Sequence, residues 1–127
     1  MGQAGVSVLL DSVVLIDHFN GVQQATEYLA KVHRRSAVSV ITRAEVLAGF
    51  DDVHKSSALS LLDALPTIGI DKAIADLAAA LRRHHGWKLP DAFQAAIAST
   101  SQLKLATRNT KDFPPARHDF VLVPYTL

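Results

Sequence analysis

Four acidic residues are spaced along the chain so that each lies near the start or end of an apolar run: Asp11, Glu45, Asp91 and Asp112. In an open α/β sheet, side chains at the carboxyl ends of strands and at the starts of the following helices meet in the crevice where ligands bind. Carboxylates that converge there repel one another unless a divalent cation neutralises them. The spacing therefore predicts a site that holds Mg²⁺ or Mn²⁺ and acts on phosphate esters.

Apolar runs of strand length alternate with helical patterns along the chain. The strand-like runs are 6–10, 37–40, 67–70, 103–106 and 121–123. An uninterrupted apolar run is typical of a parallel strand that helices bury on both faces. We therefore predict an α/β fold, namely a three-layer α/β/α domain with a mostly parallel sheet of about five strands. Residues 1–127 are expected to form one domain, and the residues before the first strand to form a loop.

Helix signals fill the segments between these runs. Asp71 is expected to cap a helix that ends at Gly86, and the pair Pro90-Asp91 to open the next helix. Three leucines line another helix, which stops before Pro66, and they either pack on the sheet or form a self-association surface: Leu59, Leu62 and Leu65.

The composition limits the classes of protein to consider. With no cysteine among 127 residues, the chain has neither disulfides nor cysteine-bound zinc. No apolar run approaches the roughly 20 residues that span a bilayer, and the start lacks the positive charge of a signal peptide, so we expect a cytoplasmic protein. Net charge is +1, but without the four suspected ligands eight acids face 13 basic residues, a balance that would attract a polyanion.

Each acid also has a purely structural interpretation as a helix cap. Asp11 is suitably placed to cap the helix after the first strand. Thr42 and Glu45 have the spacing of a capping box, and so do Asp91 and Gln94. Because helix N-termini favour anions as well as capping side chains, local spacing does not separate a cap from a metal ligand.

The joint order of the acidic segments is more informative than any one of them. The segments are DSVVLID at 11–17, ITRAEV at 41–46, LPDAFQAAIA at 89–98 and TRNTKDF at 107–113. In this order they resemble the PIN-domain nucleases, most closely the VapC-type toxins of bacterial and archaeal toxin–antitoxin pairs, over nearly the whole chain. The resemblance implies a Mg²⁺- or Mn²⁺-dependent endoribonuclease that cuts RNA such as tRNA or rRNA. It also implies a homodimer held inactive by a small VapB-like antitoxin.

The resemblance further implies roles for individual residues. All four acids are the implied catalytic carboxylates, and three of them are the implied metal ligands: Asp11, Asp91 and Asp112. Glu45 is expected to bind a second ion or to orient the attacking water. Three polar residues match supporting positions, the first of them replacing a more frequent threonine: Ser12, Thr107 and Asn109.

Other residues near the acidic segments have weaker signals. Arg108 and Lys111 bracket the last acid and are the predicted contacts to substrate phosphates. Asp17 lies more than one helical turn beyond Asp11, which favours a solvated face. Trp87 is expected in the core, although its ring could also stack on a base.

Two alternatives to a toxin remain open at this point. One is a PIN-domain nuclease of RNA processing, and the other is a non-catalytic α/β binding module in which the acids are caps. Metal-dependent RNA cleavage separates a nuclease from a binding module, and the neighbouring gene separates a toxin from a processing enzyme.

Overall fold

Five short strands pair into one sheet in the computed structural model, which describes residues 5–127. The strands are β1 (Val8–Leu10), β2 (Ser36–Ser39), β3 (Thr67–Ile68), β4 (Lys104–Ala106) and β5 (Val121–Leu122). Their order is β3-β2-β1-β4-β5, and every pairing is parallel. The predicted sheet is therefore confirmed. The strands are shorter than the apolar runs, and residues 1–4 of the expected N-terminal loop lie outside the described residues.

Within residues 5–127, six helices connect and cover these strands. They are α1 (Ser12–Phe19), α2 (Gln23–Val32), α3 (Val40–Ala48), α4 (Lys55–Asp63), α5 (Lys72–His85) and α6 (Leu89–Ser101), and a short 3-10 turn at His33–Arg35 follows α2. As predicted, Asp71 caps α5, its carboxylate accepting from the Ile74 amide at 2.9 Å. Gly86 ends α5 with a φ of 75°, a left-handed conformation that glycine adopts without strain. Within residues 5–127, no helix is long and apolar enough to cross a membrane.

Two apolar cores form on opposite faces of the sheet. Successive side chains of a strand point to opposite faces, so Val8 and Leu10 of β1 join one core while Leu9 joins the other. Helices α1 to α4 cover the first core, and α5 and α6 cover the second. Both faces of β1 are thus buried, which explains its uninterrupted apolar run and confirms the three-layer α/β/α fold.

Two of the three leucines before Pro66 belong to the first core. Leu62 is fully buried and Leu65 is 6% exposed. Helix α4 already ends at Asp63, so Leu65 follows the helix instead of lining it. Leu62 and Leu65 thus follow the packing alternative, while Leu59 is partly exposed, and self-association through this segment stays a prediction.

The strand order places a crevice beside β1. From β1 the chain moves outward through β2 to β3, and it returns to the other side of β1 with β4. Such a reversal leaves a gap between the first helices on either side, at the carboxyl ends of the central strands. Asp11 directly follows β1, and Thr107 directly follows β4. The fold therefore brings these two side chains to the same edge of the sheet.

Candidate active site

Asp11 is a helix cap and a buried site residue at once. Its carboxylate is 7% exposed. One oxygen accepts from the Ser12 amide at 3.0 Å, which caps α1, and the other accepts from the Thr107 hydroxyl at 2.6 Å. The capping and functional interpretations of Asp11 thus do not exclude each other. Hydrogen bonds to both oxygens hold the carboxylate in a fixed orientation in the crevice.

Gln94 joins the site from α6. Its side-chain amide donates to Asp11 at 3.3 Å and to the Thr42 hydroxyl at 2.8 Å, and its carbonyl accepts from the Ser39 hydroxyl at 2.6 Å. The residue is 1% exposed, so these bonds satisfy polar atoms that would otherwise be buried alone. The suggested capping box with Asp91 is wrong. The i+3 spacing from Asp91 still placed Gln94 on the helix face that carries the acid.

The segment after β4 forms a compact turn that holds Asp112. The Thr107 hydroxyl accepts from the Asn109 amide at 3.0 Å. The Asn109 side chain then donates to the Asp112 carboxylate at 3.0 Å and accepts from the Asp112 amide at 3.4 Å. Thr107 and Asn109 therefore connect the first acid to the last through hydrogen bonds.

Asp91 lies half-buried in the first turn of α6, among the other acids. Burial, together with the carboxylates of Asp11, Asp112 and Glu45, raises the pKa of Asp91 to about 6, while Lys88 opposes the rise. This influence of three distant segments on one carboxyl group shows that the fold brings all four predicted acids into one electrostatic environment.

Glu45 lies at the exposed rim of this environment, on α3. The capping box that Thr42 and Glu45 suggested is wrong, because α3 begins at Val40 and its cap is Ser39, whose hydroxyl accepts from the Thr42 amide at 3.1 Å. Desolvation raises the pKa of Glu45, a hydrogen bond with the Ser12 side chain lowers it, and Asp11 raises it. Glu45 is thus in the second turn of its helix, where the charge of Asp11 acts on it.

The donor set of this site suits a hard divalent cation. Carboxylate oxygens are the ligands that Mg²⁺ and Mn²⁺ prefer, and the described site contains no sulfur donor. Within residues 5–127, no three His, Asp or Glu side chains lie close enough to form a ready-made metal group. Mutual repulsion between carboxylates favours such a separation, and a cation between them removes that repulsion.

Asp17 forms an ion pair with Arg108 that the sequence did not predict. The Arg108 guanidinium donates to both Asp17 oxygens, at 2.6 and 2.9 Å, and the Tyr125 hydroxyl donates to one of them at 2.8 Å. The expectation of a solvated Asp17 is wrong, because its carboxylate is buried. Asp17 engages two nitrogens of the Arg108 guanidinium, and the contact of Arg108 with a substrate phosphate stays a prediction. No local signal indicated Tyr125, which lies 108 residues from Asp17.

Replacing Asp17 by Asn is expected to destabilise the fold by about 2 kcal/mol, because the partly exposed Arg108 loses its buried partner. Hydrogen bonds from Arg108, and then from Tyr125, hold the pKa of Asp17 below its usual value. The lost stability is therefore present above about pH 4 and fades as pH falls through the folded pKa. Urea unfolding at several pH values measures the lost stability.

The matched control Asp63→Asn, which breaks the exposed pair with Arg43, should cost less than about 0.5 kcal/mol. Equal costs for the two variants would contradict the assignment.

The sequence and the fold match a known class of protein. The family profile described as the PIN domain covers residues 8–117, which includes every strand end and acid described above except β5. The architecture is thus that of a PIN domain.

Similar proteins and structures indicate the subgroup of PIN domains to which the chain belongs. The chain is 32% identical to ribonuclease VapC10 of Mycobacterium tuberculosis, over 84% of this chain and 86% of that protein. A toxin–antitoxin complex from Klebsiella pneumoniae contains a chain that is 38% identical, with a TM-score of 0.85 and coverage of 95% of this chain and 100% of that one. The chain belongs to the PIN-domain family, and within it to the VapC-type ribonucleases. FitAcB from Neisseria gonorrhoeae, at 24% identity, shares the fold with a TM-score of 0.76 over 94% of this chain and 99% of that one.

Proposed function

We propose that this protein is a metal-dependent endoribonuclease that acts as the toxin of a toxin–antitoxin pair. The observation that supports this most strongly is the shared environment of the four acids at the crevice beside β1, where Asp91 has a pKa of about 6. A helix cap needs no other carboxylates in its vicinity, and the three that raise the pKa of Asp91 cost stability there. A site that recruits a divalent cation does need such carboxylates.

Asp11, Asp91 and Asp112 are the proposed ligands of a Mg²⁺ or Mn²⁺ ion. Such an ion lowers the pKa of a bound water and neutralises charge on a phosphodiester. Hydrogen bonds from Thr107 and Gln94 fix the Asp11 oxygens, so the first ligand needs little reorganisation.

Two further residues have proposed roles around these ligands. Asn109 orients Asp112 through the bond between their side chains. Glu45 orients the attacking water, because it lies at the rim and its raised pKa makes it a better proton acceptor than an ordinary carboxylate. Arg108, which is paired to Asp17, and Lys111 are the proposed phosphate contacts beside the acids.

The proposed partners are an RNA such as tRNA or rRNA, a small VapB-like antitoxin and a second copy of the chain. An open acidic crevice complements an Arg or Lys side chain of an inhibitor, which pairs with Asp11, Asp91 or Asp112 in place of the ion. Sedimentation of the chain alone and with the co-expressed product of the adjacent gene measures both associations.

We expect purified protein to cut RNA in the presence of Mg²⁺ or Mn²⁺ and to stop when EDTA is added. The physical reason is that four carboxylates alone repel a phosphodiester, whereas a bound cation attracts it. Gel analysis of a total RNA substrate, followed by sequencing of the new ends, measures the activity and its site. If the RNA stays uncut in the presence of either ion, the result would favour the non-catalytic binding module. Cleavage by a protein with no adjacent inhibitor would favour RNA processing.

A further inference from the structure

A polar cavity borders the loop that carries Asp112. Its volume is about 230 Å³, far more than one water molecule occupies. The wall comes from the end of α5 and from the segment after β4, two parts of the chain that the second apolar core joins. The residues that determine its chemistry are His85, Trp87, Lys111, Asp112, Arg117 and His118.

Trp87 gives this cavity a rigid base. Its ring is only 6% exposed, and the His85 ring stacks on it with centroids 4.1 Å apart and planes 15° apart. The His118 ring packs edge-on against both, at 5.2 Å from Trp87 and 5.3 Å from His85. The Trp87 indole N–H donates to the backbone carbonyl of Asp112 at 2.8 Å. The imidazoles are therefore positioned on a base that is bonded to the backbone of a proposed metal ligand.

The cationic side chains of the cavity have no acidic partner. Within residues 5–127, neither Lys111 nor Arg117 forms a side-chain hydrogen bond or an ion pair, in contrast to Arg108. The pKa of His85 is lowered by burial and by the neighbouring His84 and His118 imidazoles. The single acid at the wall, Asp112, is bonded to Asn109. Lys111 and Arg117 therefore outnumber the one acid at the wall, and an anion bound there would reduce this excess of positive charge.

We propose that this cavity binds a phosphate of the RNA backbone close to the phosphodiester that is cut. The proposal rests on the proposed nuclease function. Lys111 and Arg117 donate to the phosphate oxygens. The His85 and His118 imidazoles lie in the same wall and are further donors. Because the cavity and the acidic site share Asp112, a phosphate held here sets which neighbouring phosphodiester reaches the carboxylates.

Trp87 makes this proposal directly measurable, because it is the only tryptophan of the chain. A short single-stranded RNA of mixed sequence is titrated into the full chain in EDTA, so that binding is measured without metal-dependent cleavage. We expect the RNA to change the Trp87 fluorescence. The double variant Lys111→Gln/Arg117→Gln should bind about tenfold more weakly, and the slope of log affinity against log salt should fall by about 0.7 for each lost contact.

Two comparisons separate a specific contact from a general effect of charge. Arg34→Gln/Arg35→Gln removes the same charge from the turn before β2, at the amino end of the sheet, and should change affinity by less than about twofold. Arg117→Lys keeps the charge and should retain most of the affinity. Near-ultraviolet circular dichroism of Trp87 verifies that each variant is folded.

Several outcomes would overturn the phosphate site. They are equal weakening by both double variants, RNA binding that leaves the Trp87 fluorescence unchanged, or a fluorescence response to an acidic peptide but not to RNA. If the Lys111/Arg117 variant cuts RNA with an unchanged KM, the phosphate site is wrong while the nuclease function stands. If the wild type neither binds nor cuts RNA, both proposals are wrong.

Discussion

Asp11→Asn is expected to reduce metal-dependent RNA cleavage by at least about 10²–10³-fold while leaving the fold intact. Asn caps helices about as well as Asp, so the bond to the Ser12 amide that begins α1 is kept. The substitution removes one negative charge from a proposed hard-cation site. The site then binds the ion more weakly, and less of the charge on the phosphodiester is neutralised. Cleavage rates at saturating Mg²⁺, together with a thermal melt, measure both parts of the expectation.

Asp71→Asn is the matched control for this experiment. Asp71 caps α5, since its carboxylate accepts a hydrogen bond of 2.9 Å from the Ile74 amide. It is exposed, and its charge does not contribute to the raised pKa of Asp91. The same chemical change there should therefore alter neither cleavage nor the fold. If Asp11→Asn cut RNA at nearly the rate of wild type, Asp11 would be a cap and no more.

Asp91→Asn is expected to stabilise the metal-free protein at pH 7 by about 1–2 kcal/mol, after allowance for solvent screening. The pKa of Asp91 is about 6 in the folded protein, above the value near 4 of an unfolded chain. The folded state therefore binds the proton more tightly, and the ionised carboxylate costs stability at pH 7. As pH falls through about 6 toward 4, the cost fades, and the advantage of the variant should fade with it.

The stabilisation of the protein by Mg²⁺ is a second test of the role of Asp91. A ligand that binds only the native state stabilises it by about 2.7 kcal/mol at a hundredfold excess over its dissociation constant. Wild type should show this shift in thermal melts, and Asp91→Asn should show a smaller one. The control Asp76→Asn, at an exposed position on α5, should behave as wild type does. A wild type that is indifferent to Mg²⁺, with a variant that gains nothing in EDTA, would contradict the metal-site proposal.

The sequence by itself determined the order of the elements and the positions of the acids relative to them. The apolar runs located all five strands, and Asp71 and Gly86 marked the two ends of α5. These features depend on interactions within a turn or two of the chain, or on the burial of both faces of a strand. Local sequence patterns are therefore enough to predict them. Asp11 was predictable for the same reason, since it directly follows the strand that the pattern located.

Only the tertiary structure decided which polar side chains meet. Gln94 reaches Asp11 across 83 residues of sequence, and Arg108 reaches Asp17 across 91. Such contacts depend on which strand ends become neighbours, and β1 gains β4 as a neighbour only when the sheet assembles. Local spacing therefore favoured caps for Gln94 and solvent for Asp17. Burial in the assembled fold instead required each of these polar groups to find a partner, because an unpaired polar group in the interior costs more than the bond itself contributes.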